Sequence, residues 1–298
     1  MQTFEVIVDF YSDWIQMLRK ELLAEGYAVD ASENPFEVCK KYFNVQKRRI
    51  TKKPRKVLIS REFKCPLEYQ AAVNTIIDRA EKGEDLTPYL SKLLLDADYN
   101  DSLLNDWGIH HFHLSNLPDP KNPQFVERTK SLLFARVTND CFYLIAVMKH
   151  GDWTNKQLLE ILHANWPDSL QIYRCDISSL SGYSEDDIRK FRKHNIMAFI
   201  ELHDGTTYAP LGGGYATSGV SIEVVQCCDY MKACIDELEE YVKQNAAQLV
   251  EQAYYQHRVA IGPQLSFRLE ELSIKDDAIT ARLVEQNSGV KFTISPTS

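Results

Sequence analysis

The spacing of apolar positions changes character along the chain, and each change marks an element. After an apolar strand at 4–10, Trp14, Leu18 and Leu22 recur at helical spacing, with Ser12 or Asp13 as N-cap. A short helix at 36–43 leads to a strand-like stretch at 56–59. The pattern predicts a helix over 67–81 closed by Gly83. A second helix is expected from Thr87, with Pro88 in its first turn and Leu90, Leu93, Leu94 and Leu95 behind it. Helical spacing then gives way to strands. Strands are expected at 109–114, 131–138 and 142–149, and Asn139-Asp140 makes a tight antiparallel turn between the last two. Residues 115–130, with their three prolines, form a link of the length that often carries function.

Helical spacing returns behind an expected capping box, Thr154 to Gln157, with Leu158, Ile161 and Leu162 on one face. That helix stops before Pro167, and 170–174 reads as a strand. Ser, Gly and Tyr replace the apolar pattern at 178–184, which marks a boundary. A helix capped by Ser184 follows, then a hairpin with arms 196–202 and 206–209 around Asp204-Gly205, then the glycine-rich run 211–219. A long amphipathic helix at 228–256 places Met231, Ile235, Leu238, Val242, Leu249 and Ala253 on one side. The chain closes with a β-meander at 265–272, 279–284 and 290–294, with turns at 275–277 and 287–289. The whole predicts an α+β fold: antiparallel β-sheets packed with helices in a mixed two-domain architecture, 1–177 and 178–298. A length of 298 residues suits two domains.

Composition narrows the class. A hydrophobic content of 44% and a charged content of 26% are globular values. No apolar run approaches the roughly 20 residues of a membrane span. The first ten residues lack the basic and apolar regions of a secretory signal. Seven cysteines lie scattered with no Cys-x-x-Cys pair, which fits reduced thiols in a cytoplasmic protein.

The net charge is −8, yet residues 40–64 hold eleven Lys or Arg against Glu62 alone. Such a block creates a local positive field that can hold phosphates on an acidic protein. Lys47, Arg48, Arg49, Lys52, Lys53, Arg55 and Lys56 are therefore expected as a nucleic-acid-binding arm, with Tyr42, Phe43 and Phe63 offering aromatic surfaces. The bland alternative is a strand edge kept soluble by lysine.

The candidate chemistry lies in residues 106–115, where His110, His111 and His113 fall in a strand. Alternation puts His111 and His113 on one face with Ile109, and His110, Phe112 and Leu114 on the other. His150 stands at the end of a later strand, in Lys149-His150-Gly151-Asp152-Trp153. Imidazoles that titrate near 6.5 can serve as base and acid in one reaction. On RNA they would deprotonate the 2′-hydroxyl and protonate the leaving 5′-oxygen, with Arg128, Arg136 and Lys149 stabilising the phosphate.

Other readings of these segments remain open. His111 and His113, with His150 and Asp106 or Asp152, could ligate a metal in a hydrolase. Nothing else has zinc-like spacing, and the leading reading needs no cofactor. The same histidines could simply be packed or hydrogen-bonded structural residues. His113-Leu114-Ser115 matches half of the two-histidine phosphoesterase signature, but no second copy exists. Gly212-Gly213-Gly214 fits no nucleotide-binding motif and is expected to be a flexible loop. Cys227-Cys228 is expected to be packing.

Residues 107–163 resemble the catalytic core of RelE-type bacterial mRNA interferases, particularly the histidine-bearing branch. The likeness lies in the strand at 109–114, then Leu132-Leu133-Phe134-Ala135-Arg136-Val137, then residues 143–150. It implies a small antiparallel sheet on helices that presents basic and histidine side chains to RNA. Arg136 would match the mid-strand arginine, and Lys149-His150 the basic end of the next strand. The resemblance implies a toxin-like or phage-defence ribonuclease. RNA or another nucleic acid is then the expected partner, and no membrane is. A non-catalytic interaction protein, binding a protein partner or a second copy through the helix at 228–256, is the remaining alternative.

Overall fold

The computed structural model describes residues 4–177, 182–275 and 278–296. In chain order it holds β1 (Glu5–Ile7), α1 (Phe10–Ala24), α2 (Pro35–Arg48), β2 (Lys56–Ile59), α3 (Gln70–Lys82) and α4 (Ser102–Trp107). Then come β3 (Ile109–His113), β4 (Ser131–Val137), β5 (Cys141–Lys149), α5 (Gln157–Asn165), β6 (Arg174–Cys175), α6 (Glu185–Lys193), β7 (Ile200–Glu201) and β8 (Thr207–Tyr208). The chain ends with α7 (Ile222–Gln244), α8 (Ala246–Gln252), β9 (Gln264–Lys275), β10 (Ala278–Glu285) and β11 (Lys291–Ile294). This is an α+β fold.

It divides into two compact units, Met1–Tyr42 with Gln226–Ser298, and Phe43–Val225. The boundary expected between 177 and 178 falls inside the second unit instead, and residues 178–181 lie outside the described ones. The reason is a pairing that local pattern cannot reveal. β1 lies parallel to β9, with Val6 opposite Leu265, so the N-terminus joins the C-terminal sheet.

In the first unit the sheet order is β1-β9-β10-β11. The expected meander is present, though the turn residues 276–277 lie outside the described ones. α1 buries Phe10, Trp14, Leu18 and Leu22, and Asp9, rather than Ser12 or Asp13, caps it through the Ser12 amide. Asp13 instead accepts a 2.8 Å bond from the Leu269 amide on β9. The single helix expected at 228–256 is three segments: α7, α8 and a π-helical turn, Ala253–His257. Ile235, Leu238, Val242, Leu249 and Ala253 are all buried, so that apolar face is already covered within the chain.

The second unit is built on a sheet of order β2-β5-β4-β3, in which β2 runs parallel to β5 and the other pairs are antiparallel. Ile109, Leu132 and Phe134 belong to one apolar layer with Leu158 and Leu162 of α5. Phe112, Leu133 and Ala135 belong to the other, with Val73 and Ile76 of α3. Covering both faces explains why β4 and β5 read as nearly unbroken apolar runs. A small sheet, β6-β8-β7, completes the unit.

Three local expectations are corrected. Residues 87–95 form two 3-10 stretches, Thr87–Tyr89 and Lys92–Leu95, because Leu90 between them is extended and Ser91 caps anew. The strand expected at 170–174 is mostly a 3-10 helix, Pro167–Tyr173. α5 lacks the Thr154 box; Asn155 Oδ1 accepts from the Gln157 amide instead, at 2.9 Å. The Ser184 cap on α6 forms as expected, closed into a box by Asp187.

Candidate active site

α4 prepares the strand that carries the histidines. Asp101 caps it through the Leu104 amide at 3.0 Å, and Gly108, in the left-handed region at φ 65°, ends it and turns the chain into β3. The register then sets His111 opposite Phe134 and His113 opposite Leu132, so both imidazoles leave the sheet on one face, as expected. His150 arrives just beyond β5, where its amide bonds Lys130 O at 2.8 Å. The long link 115–130 returns beside β3 and delivers Arg128 and Thr129.

These residues converge on a cleft of about 210 Å³ lined by Tyr99, Asp101, His111, His113, Arg128, His150 and Trp153, among others. His113 and His150 stack with centroids 6.4 Å apart and planes 23° from parallel. Trp153 packs against His111 at 4.6 Å, His150 at 5.1 Å and Phe134 at 5.7 Å. Arg128 Nη2 lies 3.1 Å from His150 Nε2, and because a guanidinium only donates, that imidazole nitrogen accepts. The Thr129 amide donates to His113 Nδ1 at 3.3 Å, so a neutral His113 keeps its proton on Nε2. His111 Nδ1 sits 3.9 Å from Asp101 Oδ2.

Burial disfavours the charged imidazoles. It pushes His113 down to about 4, helped by the positive field of His111, Arg128, His150 and Lys92. His111 is also lowered, first by burial and then by His150 and Arg128, with Asp101 opposing. Both are neutral near pH 7 and suited to accept or relay a proton.

A buried support fixes Trp153. Arg192 donates through Nη1 to the Trp153 carbonyl, and through Nε to Asp106 Oδ2 at 2.8 Å, while its guanidinium lies 4.2 Å over the Trp107 ring. Asp106, considered above as a metal ligand, is committed to that pair. Asp152 accepts from the Lys149 amide at 3.2 Å. Among the described residues no three His, Cys, Asp or Glu side chains are grouped as metal ligands.

Four of the expected catalytic residues therefore meet, and two do not. Lys149 pairs with Ser131, which points to the opposite face from Leu132, so alternation carries it away. Arg136 shares the histidine face but sits opposite Ile109, four residues from Leu132 and thus about 13 Å along the strand. Its guanidinium lies beside Tyr143 and Tyr173.

The basic arm is corrected as well. Lys47 binds Gly212 O, Ser221 and Glu223; Arg48 donates to the carbonyls of Asn44, Leu93 and Asp96; Arg55 donates to those of Thr51, Lys53 and Thr138. Lys52 and Lys53 pair with Asp85 at 3.1 Å and Asp140 at 3.0 Å. Arg49 lines a separate cleft, and only Lys56 of this group is simply exposed at a strand start. α2 runs on to Arg48, so the block spans a helix end, a loop and a strand rather than one arm.

Sequence reasoning passed over Asp101, Tyr99 and Thr129. Asp101 carried a usable signal, an N-cap residue before Leu103 and Leu104; the other two carried none. The glycine run is structural too: a Cβ on Gly212 would collide with the carbonyls of Leu104 and Asn105, so the loop lies directly on α4.

No protein-family model, curated protein or solved structure matches this chain. Its chemistry has to be read from these side chains. Among the described residues no helix is long and apolar enough to cross a membrane.

Proposed function

We propose that this protein binds RNA and cleaves it by histidine acid–base chemistry in the cytoplasm. The observation that carries the reading is the convergence of His111, His113, His150 and Arg128 on one cleft. In this scheme His111 is the base. With Nδ1–H turned to Asp101, its Nε2 lone pair takes the 2′-hydroxyl proton as the 2′-oxygen attacks phosphorus. The bond from phosphorus to the 5′-oxygen breaks; with Arg128 drawn to the phosphate, His150 Nε2 is released as its acceptor and can carry the proton that passes to that leaving oxygen. Arg128 and the Nε2–H of His113 stabilise the negative phosphoryl oxygens. The product is a 2′,3′-cyclic phosphate, and no metal takes part.

The likeness to RelE-type interferases supports the substrate class through β3, β4 and β5. Arg136 and Lys149, which that likeness would enlist, lie outside the cleft and have no role in the scheme.

Single variants test it. His111→Ala should lower the rate by about 100-fold or more, the size of one general base. His113→Ala and Arg128→Ala should each lower it by at least about tenfold, with native circular dichroism. Full activity in His111→Ala would end the proposal.

A further inference from the structure

Arg136, absent from the histidine cleft, lines a second one of about 490 Å³ at the other end of β3 and β4. Lys47, Arg49, Arg55, His110 and Tyr173 share its wall. Among the described lining residues Glu223 alone carries a carboxylate, and it is bonded to Lys47 at 2.7 Å. Positive charge is thus in excess. Arg55 is 7% exposed and held by the Thr51, Lys53 and Thr138 carbonyls and the Thr51 hydroxyl, which solvate its charge without neutralising it.

Two groups in this wall carry buried nitrogens without a hydrogen-bond partner among the described residues. Arg136 is 7% exposed, touches the faces of Tyr143 and Tyr173, and has a buried Nη1 with no acceptor. His110 is 9% exposed, and neither ring nitrogen has a hydrogen bond. Buried polar groups are nearly always bonded, so these two orphans, which leave opposite faces of the sheet at the end of β3 and β4 yet both line this cationic cleft, point to an acceptor supplied from outside. Burial, with Lys47 and Arg55 among the charges adding to it, holds His110 down to about 4. An anion would relieve that same field. Several cations favour a doubly charged group, an arginine fork matches paired phosphoryl oxygens, and the volume is that of a small-molecule site.

We propose that the cleft lined by Arg136 and His110, in the positive field of Arg55, binds a phosphate monoester, free or carried by a nucleotide. The site is independent of the histidine cleft and stands whether or not His111 and its neighbours cleave RNA.

Calorimetric titration of the full chain at constant ionic strength tests it, with inorganic phosphate, adenosine 5′-monophosphate and adenosine as probes. A phosphate-bearing probe should bind saturably and adenosine should not. Equal binding of phosphate and the monophosphate would assign a free phosphate, and tighter binding of the monophosphate a nucleotide. Arg136→Gln should weaken binding by about tenfold or more, the loss expected for a charge-assisted bond. Because that buried change can disturb folding, Asn139→Asp at the exposed rim is the second variant; its added negative charge should weaken binding by about threefold or more. Absence of saturable binding by both phosphate probes would overturn the proposal, as would native affinity in both Arg136→Gln and Asn139→Asp.

Discussion

His110, His111 and His113 sit in consecutive reach on one strand yet live in different surroundings, and their shared consequence is acid sensitivity. All three are held below the ordinary histidine value, two of them down to about 4. Above pH 6.5 these imidazoles are neutral in folded and unfolded chains alike, and stability is complete. As pH falls below 6.5 the unfolded chain takes up protons that the folded one refuses. For His110 and His113 this loss runs down to about pH 4, at up to about 1.4 kcal/mol per pH unit each, and His111 adds to it in the same direction. Urea unfolding between pH 7 and 4.5 should show this loss, and His110→Phe should make it shallower. An unchanged slope in that variant would mean that His110 titrates normally. The same lowering keeps His111 available as base, so cleavage should persist as pH falls to 6.5 and decline only below it.

At the scale of elements, the strands were legible because alternation and turn chemistry are local. The faces of His111 and His113 follow from alternation along β3, and the β4–β5 hairpin from two apolar runs around Asn139-Asp140. What escaped depends on contacts distant in sequence. The stretch at 87–95 has good helix formers but is drawn into two 3-10 turns that bury Tyr89, Leu90 and Leu94. The glycine run looked like a loose loop, since nothing in it shows that Gly212 lies against α4. That contact has a testable cost. Gly212→Ala should destabilise the protein by about 1–3 kcal/mol through overpacking, and should disturb α4, the element that carries Asp101. Denaturant unfolding checks the first effect and cleavage rate the second. A neutral Gly212→Ala would mean that the loop yields freely.

At the scale of the whole molecule, the chain is interleaved rather than divided in sequence halves. β1 and α1 find partners in β9, through Val6 opposite Leu265 and Asp13 to the Leu269 amide, more than two hundred residues away. A pattern read along the chain sees two successive halves, because strand pairing at that separation leaves no local trace. Basic residues mislead for a related reason. Their count at 40–64 suggests one phosphate-binding arm, while Arg48 is buried among backbone carbonyls and Lys52 and Lys53 pair with Asp85 and Asp140. The fragment 43–225 should therefore unfold cooperatively by itself and keep the histidine cleft. The fragment 1–177 should not, since β1 and α1 lose their partners. Circular dichroism and amide-proton dispersion of the two fragments decide this, and a well-folded 1–177 fragment would refute the interleaved division.

The most direct test of the central claim is the product formed from end-labelled RNA by the full chain in EDTA. Metal-independent cleavage that leaves 2′,3′-cyclic phosphate ends, lost in His111→Ala, is the predicted result. Intact RNA under those conditions, or cutting that survives in His111→Ala, would contradict it.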